Sequence, residues 1–310
     1  MAENIKRHWT AADIPSQKGR SVVITGTGGI GYETALEMTR AGADVILAGR
    51  NQDKGEEAIR KTNKINPAGN IRFEKLDLAD LASIRAFGER IRAERKSLDI
   101  LVNNAAVMTP PHRMVTKDGF ELQMGTNYLG HFALTAQLLP LLQRGNKPRV
   151  ITLSSIAHLS GAINFDDFQS EHHYKPMETY SQSKLACLMF ALELQRRSDK
   201  NGWGITSMGA HPGISRTELI PNGAGKNSPA GIIRRLFGPI LFQPAAHGAW
   251  PTLYAATAEE AIGGTYYGPS RMNETRGYPK IAKIAPQAKD TEVASKLWEE
   301  SEKITNVKFI

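Results

Sequence analysis

The feature that most constrains this chain is an alternation of two local patterns. Short runs of β-branched and apolar residues are each followed by a stretch with helical periodicity. Ser21-Val22-Val23-Ile24-Thr25 ends at glycines, and residues 32–41 follow with helical character, closed by Gly42 as a C-cap. Residues 44–48 form a second apolar run, followed by a charged helix over 53–61. Residues 70–76 alternate as a third strand, and Leu81, Ile84, Phe87 and Ile91 then recur at helical spacing. Four more strands are expected at 98–102, 149–153, 205–210 and 264–267, with long helical stretches over 118–142 and 179–197. Near-continuous apolar strands alternating with helices imply a parallel sheet covered on both faces. Right-handed crossovers make it doubly wound. The expected fold is therefore α/β: a single Rossmann domain over 20–310, with a seven-stranded parallel sheet and an irregular segment over 1–19. Residues 215–245 break the pattern. They are rich in Gly, Pro and Asn and carry Ile232-Ile233-Arg234-Arg235-Leu236-Phe237, so the region near 214–245 is expected to be a loop that covers the substrate.

Composition removes several function classes. The 310 residues contain one cysteine, Cys187, which excludes an intrachain disulfide, a zinc ribbon and an iron–sulfur site. No apolar run reaches the ~18–20 residues of a membrane span. Residues 1–19 are polar and lack the apolar stretch of a secretory signal, so a cytoplasmic protein is expected. Lys and Arg exceed Asp and Glu by 39 − 31 = 8. The basic residues are scattered over predicted helix faces, as at Arg90-Ile91-Arg92 and Arg196-Arg197, and no nucleic-acid-binding motif accompanies them. No nucleic-acid partner is expected. His172-His173 are adjacent in a polar loop and point in different directions, so no metal site is assigned. His211, before Pro212, reads as structural, and Cys187 as helix packing.

The first strand runs into Thr25-Gly26-Thr27-Gly28-Gly29-Ile30-Gly31 and then a helix. Glycines let the backbone turn tightly and approach a pyrophosphate, and the helix N-terminus offers free N–H groups. The second strand ends Ala48-Gly49-Arg50-Asn51, without the acid that would bond a ribose 2′-hydroxyl. Arg50 can instead pair with a 2′-phosphate, which favours NADP(H) and leaves NAD(H) as the alternative. Further on, Tyr180 and Lys184 stand four apart on one helix face. A free tyrosine, with a pKa near ~10, is a poor base at neutral pH. A neighbouring ammonium lowers that value. Ser155 follows strand five, at the carboxyl edge where such sheets bind ligands, and its hydroxyl suits a substrate oxygen.

These motifs, with Asp77-Leu78, Asn103-Asn104-Ala105-Ala106, Asn127 and His211-Pro212-Gly213, resemble the short-chain dehydrogenase/reductase family over roughly residues 20–269. Asn127-Tyr128-Leu129-Gly130-His131-Phe132 and Ile163-Asn164-Phe165-Asp166-Asp167 resemble its retinol-dehydrogenase-like and protochlorophyllide-reductase-like branch. The resemblance implies an alcohol/carbonyl oxidoreductase acting on a small, apolar substrate. Tyr180 would be the acid/base, Ser155 would polarise the carbonyl, and Asn127 would anchor a relay water. Lys184 would also hold the nicotinamide ribose. The cofactor would lie along Gly26, Thr27, Gly28, Gly29, Ile30 and Gly31, with Asp77 and Leu78 at the adenine. Asn104, Ala105 and Ala106 would follow strand four, and Pro212, Gly213 and Thr217 would hold the carboxamide. A homodimer or homotetramer built through the two long helices is usual for the family.

One departure stands out. Only Thr27 and Gly28 separate Gly26 from Gly29, one residue fewer than the family's turn. Either the loop closes differently or cofactor affinity falls. The competing reading is a catalytically silent nucleotide-binding scaffold of the same fold.

Overall fold

The structure is a computed structural model that describes residues 8–215 and 243–310. Thr217 and the apolar residues of 216–242 lie outside the described residues. The expected strands form as β1 (Ser21–Thr25), β2 (Asp44–Gly49), β3 (Asn70–Lys75), β4 (Ile100–Asn103), β5 (Arg149–Leu153), β6 (Thr206–Ala210) and β7 (Tyr266–Arg271). An eighth, β8 (Arg276–Ile281), was not legible in the sequence. The sheet order is β3-β2-β1-β4-β5-β6-β7-β8. The first seven strands run parallel, and β8 pairs antiparallel with β7 at the edge. Because β1 lies between β2 and β4, the winding reverses there, which opens a crevice at the carboxyl ends of these strands.

Helices cover both faces: α1 (Gly29–Arg40), α2 (Gln52–Asn63), α3 (Leu81–Glu94), α4 (Gly130–Leu142), α5 (Pro176–Asn201), α6 (Ala245–Gly248), α7 (Trp250–Thr257) and α8 (Thr291–Thr305). Successive strand residues point to opposite faces. Val23, Leu101 and Val150 thus join α3, α4, α5 and α8 in one buried layer. Val22, Ile24, Ile100 and Ile151 join α1 and α7 in the other.

Besides β8, three features depart from the sequence reading. The helix expected over 118–142 starts late, with a wide π-type turn over Met124–Leu129 before α4 begins. The segment over 8–19 is anchored, with Trp9 buried edge-on against Tyr254. Finally, α8 lies over α4 and α5. Its Trp298, together with Phe309, packs on Phe132 and Phe190, and Tyr128 Oη bonds Ser301 Oγ at 2.7 Å. The chain's own C-terminus therefore fills a face of the two helices through which copies were expected to associate.

Trp298 is 2% exposed at the centre of this aromatic cluster. Trp298→Ala should lower the unfolding free energy by about 3–5 kcal/mol in urea titration. A loss below about 1 kcal/mol would show that α8 is not packed as described.

Candidate active site

The glycine turn is built by close approach. Gly26 has φ +96°, and a Cβ there would meet Asn104 Nδ2 at 2.7 Å. A Cβ on Gly31 would meet Gly26 O at 2.2 Å. The turn closes despite its missing residue because α1 begins at Gly29, with Gly28 as an extended N-cap. Gly28 offers no side-chain cap, and a Cβ there would meet nothing within 4 Å. The first N–H groups of α1 therefore find no partner among the described residues, a cradle that suits a pyrophosphate. Thr27 packs against Gly49 at the end of β2. Ile30 and Gly31 are buried.

The turn is tied to β4 by one hydroxyl. Thr25 Oγ1 accepts from the Asn104 and Ala105 N–H groups at 2.9 and 3.0 Å, while Asn104 Nδ2 donates to Thr25 O. Its own proton goes to His131 Nε2 at 2.8 Å. His131 Nδ1 lies 2.9 Å from Asn127 O, and a carbonyl only accepts, so the ring proton sits on Nδ1. Burial pushes the pKa of His131 down to about 4, which keeps the ring neutral. Sequence alone gives His131 no role of its own; its spacing of four from Asn127 is the signal that pairs them. Asn127 is held on every side. Its Oδ1 accepts from Val107 N–H at 2.7 Å, and its Nδ2 donates to Val107 O and to Ser183 Oγ, both at 3.0 Å. Its carbonyl also accepts from Cys187 Sγ. The helix widens at this point into the π-type turn.

Across the crevice, Ser155 is half-buried just past β5, and its Oγ accepts from Ala157 N–H. The neighbouring Ser154 is buried and donates to Lys184 O at 2.7 Å, fixing α5 against β5. The Tyr180 phenol lies beside the Ser155 hydroxyl. Burial pushes the Tyr180 phenol above its ordinary value, and the Ser155 hydroxyl offsets part of that. Burial also lowers the Lys184 ammonium. Lys184 Nζ donates to Leu153 O at 3.1 Å and lies 5.9 Å from the centroid of the Tyr180 ring. The expected lowering of the tyrosine by this lysine is therefore outweighed by desolvation.

The remaining residues lie along the same edge. Arg50 is exposed past β2 and makes no ion pair among the described residues. Asp77 Oδ1 accepts from Ala79 N–H, and Leu78 is buried with its carbonyl against Gly130. Ala105 and Ala106 are half-buried past β4, and Pro212 and Gly213 form a corner past β6.

A dinucleotide cradle and a serine–tyrosine–lysine group on one sheet edge define an oxidoreductase of CH–OH groups. The chain belongs to the short-chain dehydrogenase family, whose model matches residues 20–224. Retinol dehydrogenase 13 of Mus musculus is 41% identical, covering 93% of this chain and 84% of the relative. Polyprenol dehydrogenase of Mus musculus is 38% identical, covering 94% and 85%. A solved structure from Mycobacterium paratuberculosis, 40% identical, superposes with a TM-score of 0.81 over 98% of this chain and 99% of that one. Enzymes of this family use nicotinamide dinucleotides, and the cradle described here fits one.

Gly31→Ala should cost about 1–3 kcal/mol, because the new Cβ meets the Gly26 backbone and the half-buried Asn104 amide. Thermal unfolding checks this, and a Tm equal to wild type would contradict the close approach at the turn.

Proposed function

We propose that the protein interconverts apolar alcohols and their carbonyl partners, with NADP(H) preferred over NAD(H). The observation that carries this reading is the Tyr180 and Lys184 pair, buried together on one face of α5 beside half-buried Ser155, on the sheet edge that holds the uncapped N-terminus of α1. When bound, the nicotinamide supplies or accepts the hydride. In carbonyl reduction, Tyr180 Oη gives its proton to the developing alkoxide. The Ser155 hydroxyl holds the same oxygen and aims it. Lys184 has one carbonyl acceptor, Leu153 O, and its remaining N–H groups suit ribose hydroxyls. The carbonyl of Asn127 already accepts from His131 and Cys187. Asn127 thus acts by fixing the Val107 loop and the Ser183 side of α5, rather than by offering that oxygen to a water.

Arg50 supports the phosphate preference, since β2 ends without an acid and this guanidinium has no partner among the described residues. Asn51, beside it, caps α2 through Lys54 N–H. Pro212 and Gly213 take the carboxamide. The apolar substrate is supported by three exposed apolar side chains that flank site residues in the chain. Leu159 follows Ser155, Met177 precedes Tyr180, and Ile214 follows Gly213. The relatives' names specify retinol and polyprenol, both apolar alcohols.

Fluorescence titration should show tight NADPH binding and weaker NADH binding, and Arg50→Ala should cost NADPH about 10–100-fold without affecting NADH. Equal affinities in the wild type would remove the phosphate argument. Tyr180→Phe should keep NADPH affinity and lose carbonyl turnover. A wild type that binds NADPH yet turns over no apolar aldehyde or ketone would be the silent scaffold.

The direction of the Tyr180 shift sets the pH dependence. A raised phenol stays protonated at neutral pH, so it is ready as an acid and scarce as a base. The chemical step of carbonyl reduction should be flat from about pH 6 to 8, whereas that of alcohol oxidation should rise with pH throughout. Oxidation that levels off below about pH 7 would show that the tyrosine titrates low instead.

A further inference from the structure

The turn between β7 and β8 is strained in an unusual way. Met272, Asn273 and Glu274 have φ of 50°, 51° and 66°, three consecutive residues with a Cβ in the left-handed region. Such backbone persists only where the surroundings over-determine it, and it clusters at functional sites. Here the surroundings converge on Glu274. Its Oε1 accepts from Lys283 N–H at 3.0 Å and pairs with Lys280 Nζ at 3.1 Å. Its Oε2 lies 3.3 Å from His211 Nε2.

His211 is 1% exposed and lies flat on β7, where a Cβ on Gly268 would meet Nε2 at 1.9 Å. Gly213 N–H donates to His211 Nδ1 at 3.3 Å, which leaves the ring proton on Nε2, buried beside the carboxylate but not aligned with it for a hydrogen bond. The turn also meets the Pro212–Gly213 corner directly. Ile214 N–H donates to Thr275 O at 2.8 Å, and a Cβ on Gly213 would meet that oxygen at 2.2 Å. Gln243 Nε2 donates to Pro212 O, and Gln243 Oε1 accepts from Gly277 N–H at the start of β8. The corner thus rests on the hairpin, and the buried imidazole joins the two.

We propose that Glu274 is a positioning residue that, through His211, holds the Pro212–Gly213 corner in place for the nicotinamide end of the cofactor. This rests on the reading above that the corner takes the carboxamide. Glu274 touches neither substrate nor cofactor in this account. It sets the orientation of one ring, and that ring sets the Gly213 amide. The burial that keeps His211 neutral preserves Nδ1 as the acceptor. Arranged in this way, the antiparallel hairpin does more than close the sheet edge.

Calorimetric titration of the full chain separates the two ends of the cofactor. Two ligands are used: NADPH, and 2′-phospho-ADP-ribose, which lacks the nicotinamide ring. Glu274→Ala should weaken NADPH about tenfold and leave 2′-phospho-ADP-ribose within about twofold. Glu274→Gln, which keeps the shape of the side chain and an oxygen beside Nε2, should recover most of the NADPH affinity. Asn273→Gly relaxes the turn while keeping the carboxylate and should bind both ligands as wild type does. Unchanged NADPH affinity in both Glu274 variants would overturn the proposal, and so would equal weakening of both ligands. A wild type that binds neither ligand would overturn the cofactor reading first, and this inference with it.

Discussion

The hydroxyl of Thr25 is the small contact on which the site depends. It ends β1 at the point where the winding of the sheet reverses, and it accepts from two N–H groups past β4. That holds the glycine turn and the β4 loop at one fixed separation, close enough that Gly26 and Gly31 tolerate no side chain. Its proton passes the constraint to His131 and so to Asn127, which in turn holds the Val107 loop and meets α5 at Ser183. The cofactor cradle and the helix that carries Tyr180 and Lys184 are therefore set by one continuous buried network. Buried networks of this kind are rigid when every member is satisfied.

The same burial sets the chemistry. Tyr180 is pushed up, while Lys184 and His131 are pushed down, so desolvation favours the neutral form of each. Spacing along a helix showed that Tyr180 and Lys184 share a face. It carried no information on depth, and depth outweighs the ion–phenol attraction that the spacing suggested. The family's pattern therefore describes the parts correctly, while the electrostatics of this site follow from how far the parts lie from water.

Much of the fold was legible because its signals are local. Val22, Val23 and Ile24, or Val45 to Ala48, are apolar runs that only a sheet covered on both faces accommodates. The glycine turn, Ser155 and the Tyr180–Lys184 pair were legible for the same reason. The features that were missed depend on distant partners. The strand β8 carries Arg276, Pro279 and Lys280, a pattern that suits an edge and gives no apolar run. The wide turn at Asn127 accompanies bonds to Val107 and Ser183, twenty and fifty-six residues away. Trp9 and Trp298 bury themselves against rings that sequence spacing does not bring near. Glu274 carried no motif, and its place beside His211 follows from the hairpin alone.

The central claim is that a hydride passes between a nicotinamide and the carbon of an apolar alcohol or aldehyde at the Tyr180 site. The most direct measurement is a single turnover with NADPH deuterated at nicotinamide C4 and an apolar isoprenoid aldehyde, followed by mass spectrometry of the alcohol. The account predicts one deuterium on the former carbonyl carbon with wild-type protein and none with Tyr180→Phe. An alcohol formed without the label, or formed equally by the variant, would contradict it.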